Sequence, residues 1–92
     1  MDYGKLTQKS NLIVQMLSDK LSVDGDKQAL VSIKKQMEFI NGEALNARNP
    51  IDSLSEGKVF SFGVIASKEL TGSDEEKLTD LIDDVSQMLD EK

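Results

Sequence analysis

The chain has no cysteine and no histidine, and it has a single proline, Pro50. Without cysteine there are no disulfides, no thiolate nucleophiles and no sulfur-ligated metals. Without histidine, the commonest general base and the commonest transition-metal ligand are both missing. Secreted proteins as short as 92 residues usually carry disulfide staples, so a reducing compartment is favoured. Long apolar runs are also lacking. The longest, such as Leu12–Val14 and Val64–Ala66, fall far short of the roughly 20 residues that span a bilayer. The polar opening Met1–Ser10 has no signal-peptide core, so the expected location is the cytoplasm, with no membrane partner.

Aromatic side chains are few: Tyr3, Phe39, Phe60 and Phe62. On helices such residues more often fill a core than make a contact. Phe39 sits slightly off the apolar stripe of its segment and can seal either the core or an interface.

Charge is plentiful but uneven. Residues Glu69–Lys92 hold nine acids and two bases, a net of −7, and the rest holds eight acids and nine bases, a net of +1, which together give the −6 of the whole chain. Nucleic-acid binding needs a basic footprint, and a tail of −7 repels phosphate. An acidic helix keeps a small protein soluble, and the same face is complementary to a basic partner.

Four segments emerge from apolar spacing. In the first, about Leu6–Leu21, Leu6, Ile13, Leu17 and Leu21 recur at helical spacing beside Met16. Turn-forming residues from Ser22 to Gly25 then interrupt the pattern. In the second, about Asp26–Leu45, Leu30, Ile33, Met37, Ile40 and Ala44 alternate steps of three and four, and Asp24 or Asp26 is placed to cap the start. Asn46–Pro50 ends it, because Pro50 lacks an amide hydrogen and pushes Asn49 from helical angles. The fourth, about Asp74–Glu91, opens with a capping box, Ser73 with Glu76, after the breaker Gly72. Its Leu78, Leu81, Ile82, Val85, Met88 and Leu89 form one face, and Asp80, Asp83, Asp84 and Asp90 occupy the other.

The third segment is ambiguous on propensity. Val59–Ile65 is β-branched and aromatic and reads as a strand, yet no second strand-like run exists to pair with it. A helix over about Ser55–Leu70 satisfies the backbone internally and aligns Val59, Phe62, Ala66 and Leu70. The expected fold is all-α: a single domain over residues 1–92, a bundle of about four helices.

Little chemistry is available to such a chain. Asp80 with Asp83 or Asp84 would share a helix face and could meet a cation, but an exposed face makes a watery, weak site and no EF-hand spacing is present. Ser55, Ser61, Ser67 and Ser73 have no histidine to activate them, and Lys58 and Lys68 lack a nucleophile motif. The expectation is a protein with no catalytic residues, no metal and no cofactor, which acts by binding another protein.

The second and third segments resemble a known family. Lys35-Gln36-Met37-Glu38-Phe39-Ile40 is followed, after a loop and Leu54, by Phe62-Gly63-Val64-Ile65-Ala66-Ser67-Lys68-Glu69-Leu70, then by Asp74-Glu75-Glu76-Lys77-Leu78. This order resembles small bacterial immunity proteins of type VI secretion systems, which neutralise NAD(P)+ glycohydrolase effector toxins. In that family a K-Q-x-x-aromatic-I element precedes a G-x-I-A-x-K-E element and an acidic last helix. The likeness covers about Leu30–Val85, and the chain departs from it by extra residues around Ile51–Lys58 and by lacking an extended tail. The resemblance implies inhibition by occlusion: the protein binds the catalytic domain of a cognate toxin and covers its substrate cleft. Gln36, Gly63, Ala66 and Glu69 match the shared motifs, with Gly63 and Ala66 read as packing positions. The candidate toxin-binding residues are Gln36, Phe39, Glu69, Asp74, Glu75, Asp80, Asp83 and Asp84. The alternative is a non-enzymatic helical adaptor that self-associates, and a homodimer of the free protein stays open under either reading.

Overall fold

Asp2 starts the first helix. Its carboxylate accepts a hydrogen bond from the Lys5 N–H (3.1 Å), satisfying one of the amides that a helix leaves free at its start. The computed structural model, which describes residues 2–23, 27–54, 60–70 and 76–90, accordingly places helix α1 at Tyr3–Val23, three residues ahead of the apolar stripe. Leu6, Ile13 and Leu17 are fully buried on its inner face, and Met16 and Leu21 are half-buried.

Helix α2 spans Gln28–Leu45 and buries every member of the expected stripe, Leu30, Ile33, Met37, Ile40 and Ala44. Asp24 and Asp26 lie outside the described residues; Lys27 precedes the helix and makes no side-chain cap. At the other end the Arg48 N–H bonds the Glu43 carbonyl (2.9 Å) and the Ala47 N–H bonds the Ala44 carbonyl (3.0 Å), a Schellman closure. Ala47 takes the left-handed conformation this closure demands (φ 53°). The Arg48 Nε reaches the Glu43 carboxylate at 2.7 Å over the same turn. Asn49 Oδ1 then accepts from the Ile51 N–H (2.9 Å), Pro50 is buried, and successive turns carry the chain to Leu54.

Asn41 fixes the pairing of α1 with α2. Its Nδ2 donates to the Thr7 carbonyl (3.0 Å) and to Ser10 Oγ (3.2 Å), so the late turns of α2 lie beside the early turns of α1 and the two run antiparallel. Ser10 is fully buried, and its hydroxyl donates to the Leu6 carbonyl at 2.7 Å, so the polar atom is satisfied within the core.

Helix α3 is Phe62–Glu69, shorter than the span expected from the sequence. Residues 55–59 lie outside the described residues, and Phe60 and Ser61 are not helical. The late start has a cause on another helix. Gln36 Oε1 accepts from both the Ser61 and the Phe62 N–H (2.9 Å each), while its Nε2 donates to Ser61 Oγ (3.0 Å) and Ser32 Oγ (3.3 Å). A carboxamide has two acceptor and two donor positions, and all four are used. Phe62, Ala66 and Leu70 turn inward as expected. Gly63 does not: it faces outward, and a Cβ placed there meets no group within 4 Å, so it is not a close-packing position. With Phe62 pointing into the core, its neighbour is turned by about 100° toward solvent.

Helix α4, Glu76–Asp90, buries Leu78, Ile82, Val85 and Leu89. The expected capping serine, Ser73, and Gly72 lie outside the described residues. Helix α1 packs on α2 and α4, and α3 bridges α2 and α4, so the four helices close a ring around one cluster of buried apolar side chains. Among the described residues there is no strand, and the fold is all-α with four helices.

Candidate interaction surface

Helix α4 carries two chemically opposite faces. At about 100° per residue, Glu76, Asp80, Asp83, Asp84 and Asp90 fall within one arc, opposite the arc of Leu78, Ile82, Val85 and Leu89. Glu76, Asp80, Asp83 and Asp90 are exposed. The acids are not equivalent. Asp84 leans toward α1, where its Oδ2 meets Lys9 Nζ at 2.8 Å, so part of its charge is spent inside the molecule. Asp83 and Asp90 lie on the opposite flank, toward α3, and Asp80 points away from the bundle between the two flanks.

On that α3 flank lies a groove of about 530 Å³. Ile51 and Leu54 of the connection after Pro50, Phe60 and Phe62, and Gly63 and Val64 of α3 line it, with Asp83, Ser86, Leu89 and Asp90 forming the α4 side. Two of its apolar members stand well out in solvent, Val64 at 60% and Ile51 at 42% exposure. An aromatic row leads into it from α2. The Phe39 ring lies 6.0 Å from that of Phe60, which lies 5.7 Å from that of Phe62, both pairs tilted by just over 50°. Phe62 is buried, Phe60 half-buried and Phe39 exposed, so the row runs from core to surface.

The candidate residues therefore separate. Phe39 and Asp83 belong to the neighbourhood of the groove; Asp80 is exposed and has no ion-pair partner among the described residues; Asp84 is tied to Lys9. Gln36 is fully occupied in holding the start of α3. Glu69 is at the far end of α3, roughly 9 Å along the axis from Gly63 by helical rise. There it borders a second hollow, of about 440 Å³, with Asp19, Lys20 and Lys27. Asp74 and Glu75 lie outside the described residues. The candidate binding residues did not include Ile51, Leu54, Val64 or Asp90, although Asp90 was already placed on the outer face of the last helix. Apolar residues directly after the helix-ending Pro50, and a valine off the inward line of α3, were the available signals.

Among the described residues no three acidic side chains converge to hold a metal ion, and no helix is long and apolar enough to cross a membrane. What the surface offers is shape, apolar contact and negative charge.

No curated protein and no solved structure is significantly similar to the chain. The Tsi6 family matches it over residues 5–91, a stretch that takes in all of α2, α3 and α4 and all but the first two residues of α1. The chain belongs to the Tsi6 family of type VI secretion immunity proteins.

Proposed function

We propose that this protein acts in the cytoplasm of a toxin-producing bacterium, where it binds the catalytic domain of a cognate type VI effector, an NAD(P)+ glycohydrolase, and covers the cleft through which substrate enters. The observation that carries this reading is the family match across nearly the whole chain. The physical features accord with it. A rigid helical bundle loses little conformational freedom when it docks, so more of the contact energy remains as affinity. Acids on the outer arc of α4 attract a basic surface and speed encounter, and apolar side chains at the centre of the contact slow dissociation. Inhibition of this kind needs no nucleophile, base or cofactor on the inhibitor.

Co-expression with type VI NAD(P)+ glycohydrolase effectors is the direct test. The expected result is survival of cells that die with the toxin alone, and a one-to-one complex by light scattering. Cells that die regardless, or a protein that forms only its own dimer in the presence of the toxin domain, would overturn the proposal and favour the adaptor reading.

A further inference from the structure

Gly63 is a glycine that its own surroundings do not require. Its backbone is helical, and a Cβ built on it meets nothing within 4 Å, so neither conformation nor packing excludes a side chain. The space such a side chain would occupy is the groove between the post-Pro50 connection, α3 and α4. The walls of that groove are apolar and partly exposed, at Ile51 and Val64. Its rim carries Asp83 and Asp90, seven residues apart on one side of α4 and without an ion-pair partner among the described residues. Apolar walls with unpaired acids at the lip fit one kind of occupant better than any other.

We infer that this groove is the anchor point for the toxin, taking an apolar side chain that is flanked on the toxin's catalytic domain by a lysine or arginine. The apolar side chain fills the space above Gly63, between Val64 and Ile51, and the cation settles against Asp83 or Asp90. Burial of the apolar group supplies affinity, and the acids select for a basic neighbour and fix the register. Phe39 and Phe60 extend the same apolar surface toward α2. This inference rests on the immunity reading and specifies which face of the bundle meets the toxin.

The test uses the protein and the purified catalytic domain of a type VI NAD(P)+ glycohydrolase effector against which it protects cells, with affinity and rates measured by surface plasmon resonance. Gly63→Leu fills the groove from within a helix that has room for it, and is expected to weaken binding at least 100-fold while the melting temperature stays at or above that of the wild type. Val64→Arg, at an exposed position, places a like charge against the expected cation and is expected to weaken binding at least 10-fold, which keeps the test decisive if the leucine variant folds poorly. If wild type binds and protects but both large substitutions bind within threefold of it, the groove is not the anchor and the immunity reading survives. If wild type neither binds nor protects against any such effector, both fall together.

Discussion

Two residues, Gln36 and Ala47, hold helix ends in this fold. Replacing Gln36 by alanine leaves the Ser61 and Phe62 N–H groups without their acceptor. The Phe62 bond is partly buried and the Ser61 bond exposed, so the expected loss is about 1–2 kcal/mol of stability, read by urea denaturation. Gln36→Glu keeps both acceptances and places a negative charge at a helix start, so it is expected to retain most of that stability. A Gln36→Ala protein as stable as wild type would contradict the capping role. Ala47 sits in the left-handed region where glycine is unstrained. Ala47→Gly is expected to gain about 0.5–1 kcal/mol, seen as a higher melting temperature. A loss would mean that the Schellman closure is not the conformation in solution.

At the scale of the element, α4 is the helix whose outer and inner arcs are under different demands. Asp84 is bound to Lys9 through partly exposed side chains, so Asp84→Lys is expected to cost up to about 1 kcal/mol of stability. Asp80→Lys and Asp83→Lys touch no such pair and are expected to leave stability within about 0.5 kcal/mol. Their effect belongs to association. Together they are expected to slow toxin binding several-fold at low salt, and the difference should shrink as the screening length falls to about 3 Å near 1 M salt. On the inner arc, Ile82→Ala is expected to cost about 2–5 kcal/mol, because Ile82 is 1% exposed and its removal leaves a cavity.

These elements also mark how far the sequence could be read. α1, α2 and α4 were legible because each is long enough for three or more turns of apolar spacing, and those stripes are buried apart from the half-buried Met16, Leu21, Leu81 and Met88. The expected span of α3 took in Phe60 and Ser61, which are not helical, because what holds the start at Phe62 is a side chain 25 residues from Ser61, in α2, and not anything in its own window. The early start of α1 had a local signal, Asp2, that apolar periodicity does not register. The acid face of α4 was visible as a pattern. Its division into a Lys9-paired flank and a groove-facing flank was not, because that depends on which helices close the ring on either side.

For the whole molecule, the proposed role of blocking another protein asks for a stable fold and a suitable surface. A domain of this length has on the order of 5–10 kcal/mol of stability, enough to hold four helices around one apolar core. Under the proposed function the protein acts through its surface, and the features that would serve are an apolar groove, an aromatic row leading into it and a negative rim. The most direct measurement is NAD(P)+ hydrolysis by the purified toxin domain, titrated with this protein. Turnover is expected to fall linearly to zero at one equivalent, with the released nicotinamide signal unchanged when the protein is present without toxin. A stoichiometric complex in which the toxin still cleaves its substrate at full rate would contradict occlusion.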